Sequence, residues 1–274
     1  MRTYSPDSRV ECATAEPLRI EAFVAGAGFA PHRHDTYTLA WTLKGVQSFC
    51  YRRTQRHSLP GGLVVLHPDE LHDGRAGTDE GLLYRSIYVE PALIQDVLGG
   101  RSLPFLESGT STDPRLMRAL RPLLEEYQRP LDRLELQDAL YELAVALCEV
   151  CGNPRRLPRA DFGSAETARQ YLLEHWDQPL GLDTLERIAQ RDRWKLSRDF
   201  RALFGTSPYR YLSMRRLEKA RELMLEGRSL ADVAAACGFS DQSHFTRQFR
   251  KAFGITPGQW TASVRPGAAR TIVL

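Results

Sequence analysis

Apolar residues recur at two different periods along this chain, and the change of period divides it. From Leu18 to about Glu90, short runs rich in β-branched and aromatic residues (LRIEAFVAG, YTLAWTL, QSFCYRR, GLVVLHP, LYRSIYVE) are separated by Pro, Gly and Asp clusters. This pattern predicts six to eight short antiparallel strands closing into a small barrel or sandwich. Two amphipathic helices follow. Residues 113–128 present Leu116, Leu120, Leu123 and Tyr127, and residues 134–150 present Leu136, Leu140, Leu143 and Leu147, with Pro130 between them. The 3-and-4 spacing suits packing on their own barrel or on a second copy of the chain. Residues 152–163, GNPRRLPRADFG, have dense Pro, Gly and Arg without apolar period and read as a linker.

Beyond the linker the period is helical and it repeats. Ser229 can cap a helix carrying Leu230, Val233 and Ala234. Gly238 supplies the turn, Phe239 plugs it, and Ser240 or Asp241 caps a second helix whose buried stripe is Phe245, Phe249 and Ala252. Left outward are Gln242, Ser243, His244, Thr246, Arg247, Arg250 and Lys251, side-chain types that bond base edges and phosphates in a major groove. An ordinary amphipathic pair would look similar, but the unit occurs twice. Residues 182–211 repeat it with Leu182, Leu185, Ile188 and Ala189, then Leu196, Phe200 and Leu203, and RDFRALFGTSP aligns with RQFRKAFGITP. Between the copies, residues 209–226 predict a long helix of roughly 27 Å, of the order of the ~34 Å between successive major grooves.

The sequence GFSDQSHFTRQFRKAFGITP resembles the second helix-turn-helix and signature of the AraC/XylS family of bacterial transcriptional regulators. The resemblance covers about the last hundred residues and implies that the first reading helix runs from about Arg193 to Phe204. That helix would offer Trp194, Lys195, Ser197, Arg198 and Arg201 to DNA. One departure is Gln190, where the family often has the glycine of the first turn. Arg198 and Arg247 hold equivalent slots, and a surface ion pair is the alternative role for each.

In the strand-rich half, PHRHDTYTLAWTLKG and LPGGLVVLHPDELHDG resemble the two halves of the cupin barrel that binds ligand in AraC-type regulators. The resemblance implies that His32, His34 and His72 line or rim a pocket, with Trp41, Tyr51 and Tyr84 as candidate walls. In metal-binding cupins the same histidines would be ligands together with a glutamate. Here Thr36, Tyr37 and Thr38 stand in its neighbourhood, so no metal and no cofactor are assigned.

Charge and cysteine content add a little. Residues 160–274 carry 18 Lys+Arg against 13 Asp+Glu, net +5, while residues 1–159 carry 19 against 21, net −2, so the basic half is the one with the paired helices. Five cysteines, an odd number, argue against a disulfide framework, and Cys148-x-x-Cys151 lacks the second pair that a zinc site needs. No apolar run approaches the ~18 residues of a membrane span. The opening MRTYSPDSRV lacks the apolar core of a secretory signal, so a cytoplasmic protein is expected.

The expectation is thus an α+β multidomain protein. Residues 1–151 form a cupin-like β-barrel with two dimerisation helices, 152–163 a linker, and 164–274 an all-α domain of two helix-turn-helix units joined by a long helix. It would be a non-enzymatic, ligand-responsive regulator whose partners are double-stranded DNA, a small-molecule effector, RNA polymerase and a second copy of itself, with no membrane. A metal-dependent cupin enzyme fused to a DNA-binding module is the alternative. A DNA-repair protein would need an activated thiol, and no cysteine sits in an obvious electropositive motif.

Overall fold

The computed structural model describes residues 9–14, 18–25, 28–125, 127–129, 131–151, 160–178 and 180–263. The strand-rich half opens with β1 (Arg9–Thr14), β2 (Leu18–Val24), β3 (Phe29–His32), β4 (Tyr37–Lys44), β5 (Gln47–Tyr51), β6 (Thr54–Ser58), β7 (Leu63–Leu66), β8 (His72–Ala76) and β9 (Leu82–Val89). After these come α1 (Pro91–Leu98), β10 (Thr110–Ser111), α2 (Pro114–Leu124) and α3 (Arg133–Cys151). The strands form two sheets in the orders β1-β2-β9-β4-β7-β10 and β3-β8-β5-β6, with every pairing antiparallel.

The central strands β4, β7 and β9 are apolar almost throughout because both faces of their sheet are covered. On β4, Tyr37 and Leu39 pack outward with Leu63, Val65, Ile87 and Val89 against Ile94, Leu116, Leu120, Leu143 and Leu147 of the helices. Ala40 points the other way, into the barrel with Ala22, Val24, Phe49, Val64 and Leu66. Helices α2 and α3 therefore spend their leucine seams on their own barrel. Pro130 lies outside the described residues, as do 152–159 of the segment read as a linker.

That segment is shorter than its composition suggests. Asp161 accepts a hydrogen bond from the Ser164 amide and starts α4 at Phe162, so α4 spans Phe162–Glu174. Then follow α5 (Leu182–Ala189), α6 (Arg193–Phe204), α7 (Pro208–Leu225), α8 (Leu230–Ala236), α9 (Gln242–Phe253) and α10 (Pro257–Ser263). Two cores result, one around Leu185, Leu196, Phe200 and Leu203, the other around Val233, Ala234, Phe245, Phe249 and Trp260. Among the described residues no helix is long and apolar enough to cross a membrane.

The departure at Gln190 proves to be a glycine-like residue without glycine. It caps α5 in the left-handed region at φ 47° and ψ 42°, where a β-carbon crowds the backbone. Gln190→Gly should raise stability by about 0.5–1 kcal/mol, and the stiffer Gln190→Val should lower it. Thermal melting of both variants checks this, and melting points unchanged from wild type would show that the turn carries no strain.

Candidate nucleic-acid interface and barrel cavity

The two helices that the sequence repeat makes equivalent match in length and in their end residues. Helices α6 and α9 each have 12 residues, each is capped by an aspartate, and each ends on a left-handed glycine. Asp192 accepts from the Trp194 and Lys195 amides, both at 3.1 Å, and Asp241 from the His244 amide at 2.6 Å. Gly205 and Gly254 end them at φ 73° and 74°. The stripes Leu196, Phe200, Leu203 and Phe245, Phe249, Ala252 are buried, which leaves one polar face on each helix.

On α6, Trp194 is 78% exposed, Lys195 and Arg198 are exposed, and Arg201 reaches back to the backbone and hydroxyl of Ser197. An indole left so far in water has no part in the core. Arg198 also lies 3.3 Å from Asp199, a buried carboxylate that Arg191 holds at 2.7 Å. Its guanidinium is thus partly committed within the protein. On α9, Gln242, Ser243, Arg247 and Arg250 are exposed and Thr246 is half-buried. His244 leans on the Phe239 ring and bonds Ser240 and Gln248, so it supports the turn as well as facing outward.

Residues that sequence reasoning missed hold the readers in place. Arg216 of α7 donates to the carbonyls of Trp176 (2.7 Å), Gln178 (2.7 Å) and Gly238 (3.0 Å), tying the segment before α5 to the turn between α8 and α9. From the same helix Arg215 pairs with Asp35 at 2.8 Å and Glu90 at 2.7 Å in the barrel half, and with Glu218 at 3.0 Å. Arg210 pairs with Asp69, which also meets Arg33 at 3.6 Å and accepts from the Thr206 hydroxyl at 3.3 Å. These partners are up to 180 residues apart in sequence, and no local pattern announces them.

The barrel meets both readers at their glycine caps. A β-carbon on Gly205 would stand 2.5 Å from Pro68 Cβ, and one on Gly254 would stand 3.5 Å from the Ala30 carbonyl oxygen and 4.0 Å from His32 Cβ. Leu103 adds a backbone bond of 3.0 Å to the Ala202 carbonyl.

Beside His32 lies a cavity of about 50 Å³, lined among others by His32, His34, Thr38, His72, Tyr84 and Tyr88. Three of its walls are the predicted histidines and one is the predicted Tyr84. Trp41 and Tyr51 are not in it. Trp41 follows the outward alternation of β4 and packs among the helices. Tyr51 is fully buried, and its hydroxyl lies 2.6 Å from His67 Nδ1. Burial holds His34 down to about 3 and lowers His32 and His72, so the rings are neutral near pH 7. Burial likewise pushes the Cys151 thiol up to about 12 and raises Cys148, which disfavours the reactive thiolate at this C-x-x-C.

Residues 16–144 match the AraC-like ligand binding domain and residues 185–263 match a helix-turn-helix domain. The chain is 26% identical over 253 residues to the HTH-type transcriptional activator RhaS of Escherichia coli O81 (strain ED1a), covering 88% of this chain and 90% of that protein. It is 25% identical over 222 residues to the HTH-type transcriptional regulator YbfI of Bacillus subtilis (strain 168), covering 79% and 81%. ToxT from Vibrio cholerae shares the fold at a TM-score of 0.62 and 11% identity, over 89% of this chain and 98% of that one.

A ligand-binding barrel joined to a tandem DNA reader defines a ligand-responsive transcriptional regulator, not an enzyme. The chain belongs to the AraC/XylS family of transcriptional regulators.

Arg215 is 11% exposed and Asp35 4%, so removing the guanidinium strands a buried carboxylate beside Glu90. Arg215→Ala should cost about 3 kcal/mol and loosen the barrel from the readers. Calorimetry is expected to show an earlier, broader or divided transition, and an unchanged melting curve would refute the role given to this pair.

Proposed function

We propose that α6 and α9 enter successive major grooves on one side of double-stranded DNA. Trp194, Lys195, Ser197, Arg198 and Arg201 serve the first groove, and Gln242, Ser243, His244, Thr246, Arg247 and Arg250 the second. The observation that carries this reading is the matched pair of 12-residue helices, identically capped and each with one exposed polar and basic face. Arg198 is shared with Asp199, so Arg247 is the stronger candidate for base contact in the two equivalent slots. The functional units on this reading are residues 1–151, a connector that ends at Asp161 where α4 begins, and 162–274, acting in the cytoplasm with RNA polymerase as the downstream partner.

The effector site is the cavity bounded by His32, His34, His72 and Tyr84. At about 50 Å³ it has room for a few water molecules. A larger effector therefore enters only by moving the lining. The His34 carbonyl accepts from the Asp69 amide at 2.7 Å, and Asp69 pairs with Arg210, so such movement acts on α7 directly. An effector changes transcription only by the difference in its affinity for two such arrangements.

A homodimer through the outer faces of α2 and α3 completes the proposal. Their groove sets Arg115, Arg118 and Arg129 against Glu135, Asp138, Glu142 and Glu149. A two-fold axis would bring the basic row of one copy to the acidic row of the other.

Arg247→Ala is expected to cost about 1–3 kcal/mol of specific binding, measured as Kd on operator against random DNA. Equal losses on both would reduce Arg247 to a phosphate contact. Because several phosphates are engaged, affinity should fall steeply as salt rises, whereas a flat salt titration would rule out the basic faces as the binding surface. Arg118→Glu should shift the dimer toward monomer in sedimentation velocity, and an unaltered profile would move the interface elsewhere.

A further inference from the structure

The two readers, so closely matched in length and caps, differ in one pair of charges. In the aligned segments RDFRALFGTSP and RQFRKAFGITP, Asp199 of α6 stands where α9 has Gln248, and in the same register Arg191 stands where the second unit has Ser240. Asp199 is 1% exposed. Its Oδ2 accepts from Arg191 Nη2 at 2.7 Å and Nε at 3.1 Å, and its Oδ1 accepts from Arg198 Nη2 at 3.3 Å and Nε at 3.4 Å. Each oxygen thus has its own guanidinium. Arg191 also lies 3.5 Å from Asp161, the cap of α4. The second unit has no counterpart to this chain. Gln248 lies 3.4 Å from His244 Nε2, and Arg247 acts on the capping Asp241 through space but pairs with no carboxylate among the described residues.

The two arginines hold Asp199 unequally. Arg191 is 26% exposed and bonds it closely, whereas Arg198 is 52% exposed and its bonds are long. A carboxylate so far from water needs a charged partner, and Arg191 can remain that partner when Arg198 swings outward. Until it does, the neighbouring carboxylate offsets much of the Arg198 charge. We propose that Asp199 is a specificity-determining residue of the first reader: it withholds Arg198 from random DNA and releases it only where a base edge or a well-placed phosphate binds the guanidinium more strongly than the carboxylate does. Asp199 acts through Arg198 and is a positioning residue, not a DNA contact. The second reader, with Ser240 and Gln248 in these slots, lacks the restraint and carries more of the sequence-independent attraction to phosphates.

The inference rests on the reading of α6 and α9 as DNA readers, and the experiment separates the two. Full-length protein is titrated by fluorescence anisotropy with a random-sequence duplex and with a duplex that the wild-type protein selects from a random pool, each over a range of salt. Asp199→Asn keeps the shape and removes the charge. It should bind the random duplex roughly 2- to 5-fold more tightly, the range of a half-exposed ion pair, with a salt slope steeper by about one. The gain on the selected duplex should be smaller, so that the ratio between the two falls. Adding Arg198→Ala to Asp199→Asn should abolish the gain, which a merely structural role for Asp199 would not produce. Should Asp199→Asn fail to fold, two surface substitutions decide: Arg247→Ala should lower the slope on random duplex by about one, and Arg198→Ala by clearly less. Equal drops for the two arginines, a folded Asp199→Asn protein that binds random duplex no better, or a gain that survives Arg198→Ala would overturn the proposal. A flat salt response of the wild-type protein would instead remove the reading on which it rests.

Discussion

Helix α7 is the element through which the rest of the structure is held. Its buried side, including Leu212, Leu217, Ala220, Leu223 and Met224, contributes to both reader cores. Its arginines do the remaining work: Arg210 and Arg215 face the barrel, and Arg216 faces the two helix-turn-helix units. A guanidinium suits this task better than an ammonium because its planar fork of five donors can meet several acceptors in fixed directions. Arg216 uses that fork on three carbonyls from two segments. The spacing of the readers is therefore set by a stiff rod and by polar contacts at its side, not by loops.

The duplication gives the barrel a repeated surface to dock against. Gly205 and Gly254 are the same position in the two units, and the barrel lies against both, through Pro68 in one case and Ala30 and His32 in the other. Glycine is required there twice over, once by the left-handed backbone and once, at Gly205, by the absence of room for a side chain. A shift in β3 would therefore be felt at Gly254 and a shift at Pro68 at Gly205, the same point of each reader.

Local signals made the reader legible and left the docking invisible. Asp192, Asp241, Gly205 and Gly254 mark helix ends by backbone chemistry that needs no partner, and the expected bounds of α6 match those observed. The histidine grouping was likewise foreshadowed by a motif. Strands β6 (TQRHS) and β8 (HDGRA) escaped the apolar pattern because their sequences are mostly polar. Tyr51 does face the barrel interior with Phe49, but its hydroxyl meets His67 and it stands outside the cavity lining. Trp41 was misplaced for a different reason. Alternation states that neighbours face opposite sides, but not which side is the cavity in a sheet buried on both. The pairing of Arg215 with Asp35 is a product of tertiary assembly, and a mixed-charge surface helix would show the same sequence.

Asp69 is where cavity and reader meet, and its backbone is part of the reason. It holds φ 63°, a left-handed conformation that costs a non-glycine residue about 1–2 kcal/mol, while its amide bonds the His34 carbonyl and its carboxylate holds Arg210. A strained residue bonded on both sides is well suited to have two arrangements of similar energy, because relaxing the backbone offsets part of the cost of losing the ion pair. A ligand in the cavity then needs only a modest difference in affinity to change which arrangement prevails, about 1.4 kcal/mol for each tenfold shift. On the proposed reading the barrel governs the readers without entering the DNA interface, provided its ligand distinguishes two positions of the His34 to Asp69 segment.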